Sequence, residues 1–176
     1  MDKLNENTIQ PKLKTAAVCG LFCPSCSLYI ATKEEPARLE LLIQNFGRPK
    51  EELQCEGCRS DKLSFYCRTC VMKKCTAERG FEFCSECGDY PCKDIKAFQE
   101  EMPHRAELWN SLEQIKAEGW KNWFAYMTAM TSCHKCGTIN SAYEPVCRSC
   151  GGQPSSNYAE KHKDLIAAHI NKLKKP

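Results

Sequence analysis

The chain of 176 residues has room for one domain or two small ones. Its hydrophobic content of 42% includes fifteen cysteines, so the remaining apolar residues are few for a single large core. Residues 1–14 are polar and charged, unlike a secretion signal, and no apolar run approaches the roughly 18 residues of a membrane span. With the odd cysteine count, these features predict a cytoplasmic protein with reduced thiols, and no membrane partner, rather than a secreted disulfide scaffold.

The formal net charge of +3 counts every thiol as neutral. Thiols that bind a metal ion lose their protons. Fifteen thiolates on four divalent ions would change the net charge to about −4. An overall basic surface for nucleic acid is therefore not expected, and such binding would need a local basic patch.

Twelve of the fifteen cysteines form six C-x-x-C pairs. Two cysteines separated by two residues can direct both sulfurs at one point, so each pair supplies half of a tetrahedral metal site. The pairs are Cys23/Cys26, Cys55/Cys58, Cys67/Cys70, Cys84/Cys87, Cys133/Cys136 and Cys147/Cys150. The three single cysteines are Cys19, Cys75 and Cys92. We expect all fifteen to be metal ligands, and the metal ions to organise the fold.

Residues 1–14 lack periodicity and predict a mobile arm, which precedes a cysteine-rich metal-binding domain over residues 15–102. A helix is predicted over residues 32–46, because Thr32 and Glu35 have capping-box spacing and the apolar residues repeat on one face. That face is expected to pack in the core.

A repeated spacing occupies the second half of this domain. The pattern Cys-x2-Cys-x4-Cys begins at Cys67 and again 17 residues later at Cys84. Two metal-bound turns of similar construction are the simplest explanation.

A helical segment is predicted over residues 103–131. A helical pattern that precedes this segment ends at Pro103. A second pattern, inside the segment, ends near Gly119. A third helix, over about residues 120–130, carries an aromatic face. Such a face could stack nucleic-acid bases, but we expect it to be core.

A second metal unit is predicted over residues 132–152. Its two C-x-x-C pairs are each followed by glycine and are separated by a short spacer. Two knuckles joined by a short hairpin describe a zinc ribbon, whose four sulfurs close one site with no ligand left over.

Residues 153–176 are predicted to be a linker and a closing helix, which runs over about residues 158–174. Asn157 and Glu160 have the spacing of a helix N-cap. Together the elements predict an α+β fold, in which a small zinc-organised domain with helices is followed by a zinc ribbon and a closing helix.

The eleven N-terminal cysteines do not divide evenly into sites of four. Two closed sites would use eight of them, so a third ion would need a histidine, a water or a substrate as its fourth ligand. His104 is near enough in sequence to be a candidate. We expect zinc as the metal, with three ions in this half and three to four in the whole chain. How the eleven cysteines divide, and whether His104 is a ligand, remain open at this point.

Two other cofactor chemistries fit the first cysteines. The spacing of Cys19, Cys23 and Cys26 matches the way radical S-adenosylmethionine enzymes hold an iron–sulfur cluster, but those enzymes need a large α/β barrel. Cys23 and Cys26 also resemble a dithiol redox motif, but the βαβ context of such a motif is absent. An iron–sulfur cluster therefore stays the alternative to zinc.

Four segments together resemble a known microbial family, the domain of unknown function 3795. They are CGLFCPSCSLYI at 19–30, CEGCRS at 55–60, FYCRTCVMKKC at 65–75 and CSECGDYPC at 84–92. The likeness covers roughly residues 16–100. It implies a cysteine-rich, zinc-binding domain, often followed by a helical segment and a zinc ribbon, and it implies no activity.

The function favoured by these patterns is a binding module with structural zinc that contacts a protein or a nucleic acid. The second hypothesis is an enzyme or redox protein that uses an open zinc site or an iron–sulfur cluster, and the third is a metal-handling protein. No catalytic residue and no small-molecule substrate can be identified from the sequence.

Overall fold

The computed structural model describes residues 10–99 and 102–173. Helices account for 57% of the described residues and extended residues for 2%, and these residues form no sheet. The described ranges contain only two isolated bridges, between Ala16 and Phe22 and between Ser132 and Ile139. The protein is therefore mostly helical, and the predicted α+β class is wrong.

The hairpin expected between the C-terminal knuckles is replaced by side-chain hydrogen bonds to the backbone. Asn140 is 1% exposed, and its amide donates to the carbonyls of Thr138 and Ser155, at 2.9 and 3.0 Å. Its side-chain oxygen accepts from the backbone N–H of Arg148 at 3.0 Å. Because buried backbone groups need partners, one buried amide here satisfies groups that a strand ladder would otherwise satisfy.

The described residues contain ten α-helices and four short 3₁₀ turns. The helices are α1 (Ser27–Lys33), α2 (Pro36–Phe46), α3 (Lys50–Leu53), α4 (Phe65–Arg68), α5 (Val71–Arg79), α6 (Lys93–Gln99), α7 (Leu108–Glu118), α8 (Trp120–Thr131), α9 (Asn157–Lys161) and α10 (Lys163–Leu173). The 3₁₀ turns are Leu13–Thr15, Cys23–Ser25, Cys84–Glu86 and Pro103–Arg105. Two of these turns begin at the first cysteine of a C-x-x-C pair.

The helix predicted over residues 32–46 is two helices, α1 and α2. Pro36 has no N–H to continue α1, so it begins a new helix instead. Thr32 belongs to α1 and does not cap α2. Its hydroxyl donates to the carbonyl of Leu28 at 2.7 Å and accepts from the backbone N–H of Cys55 at 2.9 Å. The side chain read as a cap therefore links α1 to a cysteine knuckle.

The main hydrophobic cluster lies around α8, and its aromatic face is core, as predicted. Trp123 and Phe124 are both 0% exposed. Phe22 packs edge-on against both rings, with centroid distances of 6.0 Å to Trp123 and 4.9 Å to Phe124. Phe22 directly precedes Cys23, so the first cysteine segment is anchored on this helix.

α7 and α8 form a helical hairpin that turns at Gly119, as the sequence predicts. Gly119 has a φ of 84°, which favours glycine. The α7 helix packs on the other side against the cysteine-rich segment, where Gly20 has a φ of 82°. A Cβ at Gly20 would lie 2.9 Å from the Cγ of Leu112, so only glycine permits this approach.

The closing helix is also divided, into α9 and α10. Ser156, not Asn157, is the N-cap of α9, and its hydroxyl accepts from the backbone N–H of Ala159 at 3.2 Å. Most of the predicted N-terminal arm lies outside the described residues, but Leu13 packs against the main cluster. Among the described helices none has the length and apolar character to cross a membrane.

Candidate metal centres

Four cysteine sulfurs converge between the two C-terminal knuckles. The Sγ atoms of Cys133, Cys136, Cys147 and Cys150 all lie within 4.8 Å of one another. The Cys133–Cys150 and Cys136–Cys147 pairs are each separated by 3.6 Å. A tetrahedral ion with Zn–S bonds of about 2.3 Å needs sulfurs roughly 3.8 Å apart. The four cysteines therefore could hold a metal ion, and their spacing suits a closed site.

Hydrogen-bond donors surround these sulfurs. The hydroxyl and the backbone N–H of Thr138 bond to Cys136, and this lowers the pKa of Cys136 to about 6. The backbone N–H of Gly152 donates to Cys150 and by itself would lower its pKa, but burial and hydrogen bonds with the thiols of Cys136, Cys133 and Cys147 raise that pKa to about 11. Hydrogen bonds to a thiolate favour its charged form, which is the form that binds metal.

Arg148 lies between two of the ligands and ties the knuckle to the α1–α2 junction. Its guanidinium donates to Glu35 at 2.6 Å, to Glu34, and to the carbonyl of Ile139 at 2.8 Å. The Arg148 side chain is 11% exposed. Although burial alone would raise the pKa of Glu35, hydrogen bonds from Arg148 and Arg38 hold it below its ordinary value. The four-cysteine site is therefore joined to the N-terminal part of the chain by charge-assisted hydrogen bonds.

The eleven N-terminal cysteines lie in looser groups. Among the described residues, only the C-terminal four bring all their ligand atoms within 4.8 Å of one another. A first cysteine group consists of Cys23, Cys26, Cys55 and Cys67. Cys67 is hydrogen-bonded to Cys55. This bond, together with the N–H groups of Gly57 and Ser64, lowers the pKa of Cys55 to about 6.

The other two members lie beside this pair. Burial raises the pKa of Cys23, and the thiols of Cys58, Cys26 and Cys55 act in the same direction. Burial also raises the pKa of Cys26, with Cys55 again adding to the effect. The first cysteine group therefore draws on three different C-x-x-C pairs.

A second group, the inner thiols, consists of Cys19, Cys58 and Cys70. Cys19 and Cys58 are buried in one hydrophobic cluster, and Cys70 and Cys84 pack against it. Burial raises the pKa of Cys19, which has the thiols of Cys58, Cys70 and Cys84 as neighbours. Cys55, by contrast, is buried in a separate cluster with α2 and α3. Cys55 and Cys58 are thus buried in different hydrophobic clusters, and Cys23 is a neighbour of both.

Four cysteines remain. Three of them, Cys75, Cys87 and Cys92, are here called the outer thiols, and the fourth is Cys84. The pKa of Cys84 is raised to about 12, first by burial and then by the thiols of Cys92, Cys70, Cys75 and Cys87. Cys84 therefore has thiol neighbours from both the inner and the outer set.

The candidate ligand His104 is engaged elsewhere. Its Nδ1 is hydrogen-bonded to the hydroxyl of Tyr143, and its Nε2 accepts from Arg105 at 3.4 Å. Burial lowers the pKa of His104 to about 4. Because both ring nitrogens have protein partners, the ring has no free nitrogen to offer an ion.

Residues 15–97 match the model of one protein family. That family is described as a protein of unknown function, DUF3795. The matched segment contains all eleven N-terminal cysteines and ends before α7, in agreement with the resemblance seen in the sequence. No curated protein and no solved structure matches the chain. The C-terminal four-cysteine site lies outside the matched segment.

Two buried polar features of the fold have little signal in the sequence. Arg148 could have been noticed because it stands between Cys147 and Cys150. Glu107 could not have been noticed from the sequence. It is buried and accepts hydrogen bonds from Lys161 at 2.6 Å and His162 at 2.7 Å. An isolated glutamate before a helix looks like a surface residue until the fold brings α9 against it.

Proposed function

We propose that this chain is a zinc-binding module in which structural zinc sites hold a surface for a protein partner. The observation that carries the zinc assignment is the convergence of the four C-terminal cysteines. Four thiolates suit a soft, tetrahedral ion, and they leave no position for water or substrate. A closed site of this kind stabilises a fold and does not catalyse a reaction.

Further zinc ions in the N-terminal half are supported by the hydrogen bonds around its sulfurs. Several cysteines accept a backbone N–H from the residue two positions later, as Cys136 and Cys150 do in the C-terminal site. These donor–acceptor pairs are Leu21 to Cys19, Leu28 to Cys26, Gly57 to Cys55 and Asp89 to Cys87. The last has an N···S distance of 3.4 Å. The same local geometry therefore recurs where the eleven cysteines lie.

Elemental analysis of protein purified without added metal tests the zinc assignment. We expect a colourless protein with about four zinc ions per chain, the count that three N-terminal ions and one C-terminal ion give. Cys133→Ser should lose one ion, and Ser149→Ala, a change beside the same site at a residue with no metal-binding side chain, should lose none. A brown protein with a broad visible absorption band and stoichiometric iron would contradict the proposal and favour the iron–sulfur alternative.

The partner surface is supported by an exposed aromatic patch made of Phe46, Phe65 and Tyr66. Phe46 is 41% exposed and Tyr66 is 57% exposed. The rings of Phe65 and Tyr66 have centroids 3.9 Å apart, and the guanidinium of Arg48 lies 4.1 Å from the Phe65 centroid. Aromatic and arginine side chains of this kind are enriched in protein interfaces.

Charge favours a protein over a nucleic acid as the occupant of this patch. Bound thiolates would give the chain a net negative charge, and phosphate backbones need cations for non-specific affinity. A photo-crosslinking amino acid at Tyr66 should therefore capture a protein in cells, and the same group at Tyr126, on α8 and 39% exposed, serves as the matched control. Capture of RNA or DNA at position 66, or equal capture at both positions, would contradict the assignment.

A further inference from the structure

The four cysteines of the C-terminal site differ in how far solvent reaches them. Cys133 and Cys147 are buried, each of them 3% exposed. Cys136 and Cys150, the second cysteine of each knuckle, are exposed. Because oxidation of cysteine by peroxides depends on thiolate character and on exposure, a small oxidant can reach two of the four ligands.

Each exposed cysteine lies against a buried cysteine of the other knuckle. The sulfurs of Cys150 and Cys133 are 3.6 Å apart, and so are those of Cys136 and Cys147. A disulfide bond has a length of about 2.05 Å, so either pair needs to approach by only roughly 1.5 Å to form one. An oxidised sulfur at either exposed position therefore has a second thiol close enough to react with it.

The surroundings of the two exposed sulfurs are not the same. A Cβ at Gly152 would lie 3.4 Å from the sulfur of Cys150 and 3.6 Å from that of Cys133. Because glycine has no Cβ, room for a methyl group remains beside this pair. The sulfur of Cys136, by contrast, has the hydroxyl of Thr138 at 3.3 Å. The pair formed by Cys133 and Cys150 is therefore the more accessible of the two.

An exposed lysine borders the space beside Gly152. The nearest atom to a Cβ built at Gly152 is the Cδ of Lys135, at 3.2 Å. Lys135 is exposed, and exposed side chains change rotamer within nanoseconds. The stem of Lys135 can therefore move aside to admit a molecule as small as a peroxide.

From this arrangement, we propose that Cys150 is a site of oxidation by hydrogen peroxide, and that Cys133 then closes a disulfide with it and so releases the metal ion of the C-terminal site. The inference rests on the proposed zinc-binding function. It adds a redox-controlled state to a site that otherwise only stabilises the fold.

The chemistry has two balanced steps. In the first, the Cys150 thiolate attacks one oxygen of the peroxide; an S–O bond forms, the O–O bond breaks, and the hydroxide that leaves takes a proton from solvent. In the second, the Cys133 thiolate attacks the Cys150 sulfur; the S–S bond forms, the S–O bond breaks, and a second hydroxide is protonated. The two thiolates lose two electrons, and the peroxide gains them as it becomes two molecules of water.

Loss of the ion follows from the number of thiolates that remain. The disulfide removes two of the four ligands, and the thiolate is the form of cysteine that binds metal. Cys136 and Cys147 cannot complete a tetrahedron by themselves. Arg148 lies between Cys147 and Cys150 and bonds to Glu35 at 2.6 Å, so we expect oxidation to loosen the contact between the knuckles and the α1–α2 junction as well.

Titration of the zinc-loaded, full-length protein with hydrogen peroxide tests the proposal. Trypsin cuts after Lys135 and Arg148, so Cys133 and Cys150 fall on different peptides, and Cys136 and Cys147 share a third. After one molar equivalent of peroxide, we expect the peptides of Cys133 and Cys150 to be joined in the major disulfide product. A chromogenic chelator should detect about one zinc ion released per chain. A dithiol reductant and added zinc should restore the original metal content.

Two variants separate accessibility from metal binding. Gly152→Ala should keep its full zinc content, because φ at this residue lies outside the left-handed range and the nearest neighbour is a flexible side chain. It should release zinc to peroxide severalfold more slowly, since the added methyl group covers both sulfurs. Ser149→Ala, at an exposed residue beside Cys150, is the matched control and should release zinc at the rate of the unmodified protein.

The outcomes separate this inference from the proposed function. A first disulfide between Cys136 and Cys147 or in the N-terminal half, retention of all zinc under peroxide, or equal release rates in the two variants would overturn the oxidation site and leave the zinc-binding proposal standing. A purified protein that holds no zinc would overturn the proposed function itself. If Gly152→Ala does not fold, the disulfide map of the unmodified protein decides the question.

Discussion

Replacing Arg148 with alanine should separate the C-terminal knuckles from the helical body without removing a metal ligand. The substitution removes donors from Glu35, Glu34 and the carbonyl of Ile139. The Glu34 side chain is 42% exposed, so its ion pair contributes little. The other two bonds join a side chain that is only 11% exposed to Glu35, which is 28% exposed, and to the carbonyl of Ile139, a residue that is 4% exposed.

The magnitude follows from those two bonds. A hydrogen bond that involves a charged group contributes about 1.5–3 kcal/mol, and an orphaned acceptor costs about 1–3 kcal/mol. Glu35 keeps Arg38, 2.6 Å away, which reduces the loss. We therefore expect Arg148→Ala to lower the free energy of unfolding by about 2–4 kcal/mol. Arg148→Lys should recover only part of it, because one ammonium cannot reproduce the planar fork.

The assay is urea unfolding at saturating zinc, followed by circular dichroism, with the metal content of each variant measured in parallel. Arg48→Ala is the matched control, because its ion pair with Glu52 and its contact with the Phe65 ring lie at the surface and should each contribute about 1 kcal/mol or less. Zinc content should not change in either variant. If Arg148→Ala loses no more stability than Arg48→Ala, or if it loses the zinc ion, the reasoning is wrong.

Three further predictions concern local geometry, metal binding and pH. Gly57→Ala should be strongly destabilising, because φ at Gly57 is 113° and a Cβ would lie 2.4 Å from the carbonyl oxygen of Lys14. Gly88→Ala, which has open space around it, should be tolerated in the same urea assay. Cys133→Ser should lower the midpoint of thermal unfolding at a fixed zinc concentration. It should also abolish the part of the response to added zinc that comes from the C-terminal site. An unchanged midpoint would argue against structural zinc. Burial alone would raise the pKa of Glu107, but hydrogen bonds from a lysine, an asparagine and a histidine hold it below its ordinary value. Its stabilising effect is therefore present above pH about 4.3 and is lost as pH falls through the lowered pKa. The stability gap between wild type and Glu107→Gln should shrink over that acidic range, and a gap independent of pH would refute the assignment.

The interior of the protein combines apolar packing with buried cysteine thiols. The cluster around α8 is conventional, with Trp123 and Phe124 fully buried. The cluster on the other side of α7 includes Cys19 and Cys58 as buried members. Zinc bound to those sulfurs would add stability where few aliphatic side chains are present. Removal of the ions by a strong chelator is expected to unfold the cysteine-rich N-terminal half of the chain first.

Local features of the molecule could be read from the sequence. The α8 core face follows from helical spacing, and the end of α7 follows from Gly119, because both depend on residues one or two turns apart. The knuckle turns follow from C-x-x-C for the same reason. The α1–α2 break at Pro36 does not follow from the sequence pattern, because the capping spacing of Thr32 and Glu35 favours one continuous helix.

Sequence alone predicts which residues carry sulfur and where the chain turns around them, since both depend on near neighbours. It did not determine which knuckles share an ion. Cys55 and Cys58 are three positions apart and lie in different clusters, and Cys84 has neighbours from two sets. Those associations, like the bonds from Arg148 to Glu34 and Glu35, join residues distant along the chain. Only tertiary packing decides them, because spacing along a chain fixes distances over a few residues and not over a hundred.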